Sequence, residues 1–231
     1  MNTNPREETW QLVRERRKEE LLERAAVLHG HYCPGLALGV AGAIDAVNRM
    51  EAKHQGMEEI LAVVETNNCS SDGIQFITGC TFGNNSLIFK DIGKTAFSLL
   101  NRDGEGYRYV VKNELNRSWQ DEIPEYEEVF TKVVTERRGT QEDRKKLSEL
   151  STKASYVTVI TPVDELFYIE KVEVDIPEYA PIYESCVCTR CGEKYMASRG
   201  VEIQGEDYCI GCAGKGYYRL TGFGIERAGS D

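Results

Sequence analysis

The chain has no apolar run approaching the roughly 18 residues a membrane span requires, and its opening stretch, MNTNPREETWQLVRERRKEE, is polar and charged where a secretion signal would be apolar. Both features lead to the expectation of a cytoplasmic protein without a membrane segment. Positive charge is also short: 28 Lys and Arg stand against 38 Asp and Glu, a formal net charge of −10. Such a field repels phosphate backbones, so nucleic acid is disfavoured as the main ligand. Internal repeats and low-complexity tracts are lacking, and 21 Gly and 6 Pro among 231 residues are too few for a fibrous or disordered chain. A globular protein of one or two domains remains. Cysteine is not scarce. With a disulfide framework disfavoured in a cytoplasmic chain, eight cysteines point to metal ligands or reactive thiols.

The chain is organised around His29-Gly-His31-Tyr-Cys33-Pro-Gly35, which places two imidazoles and a thiol within five residues. Pro34 suits the first turn of a helix, so Cys33 is expected at its cap, where nearby amides and the helix dipole favour thiolate. Thiolate beside neutral imidazole suits zinc, iron, nickel or copper, not magnesium or calcium. Ahead of this motif, residues 7–28 carry Trp10, Val13, Leu21, Leu22, Ala25 and Leu28 on one stripe of an amphipathic helix that Gly30 stops. Behind it, residues 35–50 form a second, apolar helix containing Gly35, Gly39 and Gly42. Each glycine costs such a helix about 1 kcal/mol relative to alanine. Close approach of another backbone, in the core or across a dimer interface, is the expected compensation.

Residues 59–66 read as a strand broken by Asn67-Asn68-Cys69, after which Ser71 or Asp72 can cap a short helix through Ile77. Cys69 and Cys80 flank that helix, so their side chains can converge on one point. SLIFKDI, TAFSLL and YRYVVK read as strands, EYEEVFTKVVTERRG and TQEDRKKLSELSTKA as charged helices with Thr140 as a cap, and 165–175 as a further strand. Pro177 and Pro181 mark a linker, which divides the chain into a core domain at 1–180 and a module at 181–231.

In that module Cys188-x2-Cys191 and Cys209-x2-Cys212, separated by seventeen residues, form two knuckles able to close a tetrahedron of thiolates. A structural zinc site is expected there, in a zinc-ribbon or treble-clef arrangement, with Cys186 a bystander and a hairpin tipped by Gly205 between the knuckles.

His29-Gly-His31-Tyr-Cys33-Pro-Gly35-x3-Gly39, then Cys69-x2-Asp72-Gly-Ile-Gln75-x2-Thr78-Gly-Cys80-Thr, then Gly93-Lys94-x2-Phe97, taken in order, resemble the E-subunit family of formylmethanofuran dehydrogenase, FmdE. The likeness is close over about 15–100 and resumes near ELFYI and the cysteines, which leaves 101–160 as an elaboration. The resemblance implies an α+β fold, a mixed core domain with helices packed on a sheet, together with a tendency to form homodimers and a metal-binding cleft built from the His/Cys motifs. Carried over position by position, it brings His29, His31 and Cys33 together with Cys69, Asp72, Gln75 and Cys80. Cys33, Cys69 and one of the two histidines are the expected ligands, and Asp72 is placed to orient a ligand histidine. The ion at this second site is expected to be zinc, iron or nickel.

Two functions compete on these residues. One is a metal-dependent enzyme or enzyme subunit with an open coordination position and Asp72, a free histidine or Glu65 as base. The other is a non-enzymatic metal-handling or adaptor protein for a molybdenum or tungsten enzyme, with the zinc module docking a protein partner. Thiol redox chemistry by Cys33 with Cys69 or Cys80 is a third. No substrate can be read from the sequence.

Overall fold

The computed structural model describes residues 4–52, 57–113 and 122–229. Two compact units divide the chain, Met1–Pro177 and Glu178–Asp231.

The first unit is α+β. Helices α1 (Glu7–Arg14), α2 (Lys18–His29) and α3 (Pro34–Arg49) precede strand β1 (Ile60–Val64), helix α4 (Cys69–Thr78) and strands β2 (Leu87–Phe89), β3 (Ala96–Asn101) and β4 (Glu105–Val111). After α5 (Tyr126–Phe130), a π turn at Thr131–Thr135, α6 (Gln141–Ile160) and α7 (Val163–Leu166), strand β5 (Phe167–Glu173) closes the unit. The sheet runs β2-β1-β3-β4-β5, with β1 and β2 parallel and the remaining pairs antiparallel.

Helix α3 is the hub of the packing. Its apolar positions from Leu36 to Val47 are buried except the partly buried Leu38, and α2, α4 and α6 surround it. Over the sheet, Phe97 stacks on Tyr109 with ring centroids 4.8 Å apart, and Phe167 meets both edge-on. Tyr109 is fully buried because its hydroxyl has a partner, donating to Asp45 at 2.8 Å.

The glycines of α3 find their compensation inside this chain. A Cβ on Gly39 would lie 2.1 Å from the carbonyl oxygen of Ser70, and one on Gly73 would lie 2.6 Å from that of Leu36. Helices α3 and α4 therefore cross backbone to backbone at two interlocking glycines. Gly42 makes room for the rings of Phe97 and Phe167.

Several boundaries differ from the sequence reading, each for a local reason. The single helix at 7–28 is two helices, broken where Arg16 takes a positive φ of 54°. The break reorients α2 and leaves Leu28 60% exposed, outside the expected stripe. Helix α4 starts earlier than predicted because Asn68, not Ser71 or Asp72, caps it by accepting from the Ser70 amide at 3.0 Å. The first charged helix gives way to the π turn after five residues, whereas α6 runs on to Ile160 behind a capping box made by Thr140 and Asp143. Both β4 and α6 lie within 101–160. They are a sheet strand and a helix packed on α3.

Among the described residues the second unit has three hairpins, β6 (Ser185–Val187) with β7 (Lys194–Met196), β8 (Gly200–Ile203) with β9 (Glu206–Cys209), and β10 (Tyr217–Thr221) with β11 (Gly224–Ala228), and a 3-10 turn at Ala197–Arg199. The β8–β9 turn carries Gln204 and Gly205 at φ 56° and 81°, the paired positive values that a tight hairpin turn demands. No helix follows Cys212 among the described residues, and this favours the ribbon over the treble clef.

Candidate metal centres

Two helix N-termini meet at the first centre. Cys33 caps α3 in extended geometry, φ −153° and ψ 154°, with Pro34 behind it and its Sγ accepting from the Leu36 amide at 3.3 Å. Cys69 is the first residue of α4. The Gly39–Gly73 crossing draws the two helices together, and a Cβ on Gly35 would sit 3.1 Å from Cys69 Cβ, which shows how closely the starts approach. Helix α2 ends at His29, and Gly30, at φ 90°, turns the chain back so that His31 returns to the same place. The two imidazole rings lie 4.4 Å apart.

The donor atoms of His29, His31, Cys33 and Cys69 all fall within 4.8 Å of one another. That spacing suits ligands of one ion, since Zn–S and Zn–N bonds of about 2.3 and 2.0 Å place ligand atoms roughly 3.5–4 Å apart. His29 Nδ1 lies 2.7 Å from Asp72 Oδ2, and Nε2 lies 3.7 Å from Cys33 Sγ. With Nδ1–H donating to the carboxylate, Nε2 turns its lone pair to the centre. Gln75 Nε2 donates to the other Asp72 oxygen at 3.2 Å and so fixes the carboxylate. Asp72 can do this because Asn68 has taken over the capping.

The charges follow from the crowding. The hydrogen bond from Cys33 outweighs burial and holds the Cys69 thiol down at about 5, with the histidines adding to the effect. The Cys33 thiol is pushed far up by the same bond and by burial. For His29, burial opposes the charged form, but Asp72 and Cys69 together outweigh it and the imidazole rises above its ordinary value. Two thiols, one of them favoured as thiolate, next to an oriented imidazole are a donor set for a borderline or soft cation. These residues could hold a transition-metal ion.

The structure keeps two of the sequence candidates apart from the centre. Cys80 is sealed in the core with its Sγ 3.7 Å from the Ile60 carbonyl, and burial pushes its thiol up to about 11. Glu65 is 5% exposed and gripped by Arg108 at 2.6 and 2.8 Å, which leaves no free carboxylate for a base. Sequence reasoning overlooked Asn68 as the cap and the pairing of Gly39 with Gly73. The Asn-Asn dipeptide ahead of Cys69 was the available signal for the first. Nothing in one sequence signals the second, since glycine pairing depends on which helices cross.

In the second unit the sulfurs of Cys188, Cys191, Cys209 and Cys212 also lie within 4.8 Å of one another. Gly192, at φ 74°, allows the turn that returns its amide to the Cys188 carbonyl, and the Cys212 amide donates to Cys209 Sγ at 3.4 Å. Amides of the knuckle, that of Cys191 first, hold the Cys188 thiol down at about 6. Cys186 sits on β6 outside this group. No helix among the described residues is long and apolar enough to cross a membrane.

Known proteins share much of this chain. The family model described as "FmdE, Molybdenum formylmethanofuran dehydrogenase operon" matches residues 28–168. A protein of Archaeoglobus fulgidus named "Probable S-adenosyl-L-methionine-binding protein" is 42% identical over 210 residues, covering 89% of this chain and 55% of its own length. The chain thus spans about half of that relative. Among solved structures, an FmdE-like protein of the tungsten formylmethanofuran dehydrogenase type from Syntrophus aciditrophicus is similar at 27% identity and a TM-score of 0.54, with 85% of this chain and 92% of that one covered.

Proposed function

The chain belongs to the FmdE family, and we propose that its core unit holds one transition-metal ion, of the zinc, iron or nickel class, on His29, His31, Cys33 and Cys69. A structural zinc ion sits on Cys188, Cys191, Cys209 and Cys212. The observation that carries the first assignment is the grouping of four donor atoms within 4.8 Å, one of them an imidazole whose far nitrogen is bound to a carboxylate. Two thiolates and two imidazoles would fill a tetrahedron and leave no position for a substrate. This favours a metal-handling or adaptor role, alongside a molybdenum or tungsten enzyme, over independent catalysis. His31 is the exposed member of the four, which makes it the ligand that a docked partner protein can reach.

Cobalt(II) substitution separates the two roles. A four-coordinate thiolate–imidazole site is expected to show intense visible bands and thiolate charge-transfer absorption that do not move when azide is added. A shift with azide would reveal an open position, overturn the closed-centre reading and restore the enzyme. Asp72→Asn is expected to weaken the metal at this site about 10–100-fold, the usual cost of removing a carboxylate that orients a ligand imidazole.

A second reading comes from the name of the Archaeoglobus relative, 42% identical. Equilibrium dialysis of this protein against S-adenosylmethionine tests it, and the reading requires one molecule held per chain.

A further inference from the structure

One end of the core sheet carries more than the metal centre. The register pairs Val64 with Phe97, Ala96 with Val110 and Val111 with Phe167, so the end of β1, the start of β3, the end of β4 and the start of β5 lie together. Helix α4 also begins beyond the end of β1, with Cys69 as its first residue. Beside it opens a groove of about 440 Å³ lined by Lys94, Thr95, Arg108, Lys112 and Asn113 with Val110 and Val111. Among the described residues no acidic one lines it, in a chain whose formal charge is −10.

The three cations of the groove are not equivalent. Arg108 is engaged by Glu65 and, at 3.3 Å, by Glu170, so it serves as a wall. Lys94 and Lys112 have no carboxylate within 4.0 Å among the described residues. Lys112 donates to the Asp164 carbonyl and lies 5.2 Å from the Tyr168 ring centre, which anchors the side chain and leaves two of its three N–H donors for a ligand. Thr95 Oγ1 accepts from Asn68 Nδ2 at 3.3 Å, and its own proton remains to be donated. That bond also joins the groove to the residue preceding Cys69.

We infer that this groove binds a small phosphate-bearing molecule. Two lysines and a threonine line a space within the ordinary range of small-molecule sites, about 300–1,000 Å³. Lysine meets phosphate as a point charge, without the planar fork that carboxylate recognition exploits in arginine, and here the arginine fork is already taken. The ammonium charges of Lys94 and Lys112 draw an anion that the net charge of the chain repels. The inference rests on the groove alone and holds whichever ion occupies the neighbouring centre.

Calorimetric titration of the metal-loaded full chain with inorganic pyrophosphate at low salt provides the test, with citrate and a short oligothymidylate run in parallel. One pyrophosphate per chain is expected. Lys94→Gln with Lys112→Gln should weaken it tenfold or more, while Cys33→Ser with Cys69→Ser should leave it within twofold. Citrate and the oligonucleotide should bind more weakly than pyrophosphate. Absence of saturable binding would overturn the inference. So would binding that ignores the lysines but vanishes with the thiols, since the anion would then be sitting on the metal. Citrate binding equally well would remove the phosphate class, and a tighter oligonucleotide would replace the small molecule with a nucleic acid.

Discussion

Gly39→Ala is expected to destabilise the core unit by about 3 kcal/mol or more and to empty the first metal centre. Helix propensity alone predicts the opposite, a gain of about 1 kcal/mol from replacing a mid-helix glycine with alanine. Packing decides the sign. The added methyl would lie 2.1 Å from the Ser70 carbonyl oxygen and 2.9 Å from its Cα, atoms of a backbone that cannot rotate away as a side chain would. Relief requires α4 to move off α3, and overpacking that shifts backbone costs about 1–3 kcal/mol, occasionally more. The same movement separates Cys69, at the start of α4, from Cys33, at the start of α3. Chemical denaturation and metal content measured on one preparation check both halves. A stabilised variant that keeps its full metal complement would contradict the crossing.

Arg108→Met is expected to cost about 3 kcal/mol at neutral pH. Removing one partner of a buried pair typically costs about 3–5 kcal/mol because a charge is left stranded. The lower end applies here, since the arginine side chain is itself 24% exposed. Converting Glu65 and Arg108 together to methionine should recover most of the loss. The pH dependence has a definite sign. The Arg108 fork outweighs burial and holds the Glu65 carboxyl below the usual range, so the pair contributes its stability above about pH 4.3, the ordinary glutamate value, and loses it as pH falls through the lower folded value. In Arg108→Met, burial is opposed only by the charges of Lys94 and Lys90, and the Glu65 carboxyl rises from its wild-type value. The variant is then penalised as pH rises, so its deficit should be full at pH 7, smaller at pH 4, and closed only below the lower folded value of the wild-type carboxyl. Denaturation midpoints for both proteins between these limits provide the check. A deficit that grows toward acid would contradict the pairing.

How much was legible beforehand depended on whether a feature is local. The four-cysteine knuckles are set by spacing and one left-handed glycine, and their sulfurs do group together. Cys33 at a helix cap could be read because proline fixes the first turn and the thiol follows from it. Most strands followed from periodicity and turn residues, and the α+β fold from the resemblance to the family. Places where tertiary partners override local preference could not be read. Arg16 breaks a continuous amphipathic pattern by adopting a positive φ that its residue type does not favour. Asp72 looks like a cap until Asn68 is seen to do that work, and it then becomes the partner of His29. Cys80 has the same sequence context as Cys69, at one end of a short helix, yet its end of α4 points into the core. The motif brought both thiols to the same helix, and the direction of that helix separated them.

The most direct test of the four-ligand core centre is a count of metal ions per chain in protein purified without added metal. Wild-type protein should contain two. Cys33→Ser with Cys69→Ser should leave one, and Cys188→Ser should remove the other while sparing the first. A single ion in wild type that survives loss of Cys33 and Cys69 and disappears with Cys188 would show that only the cysteine knuckles bind metal, and the core centre would have to be abandoned.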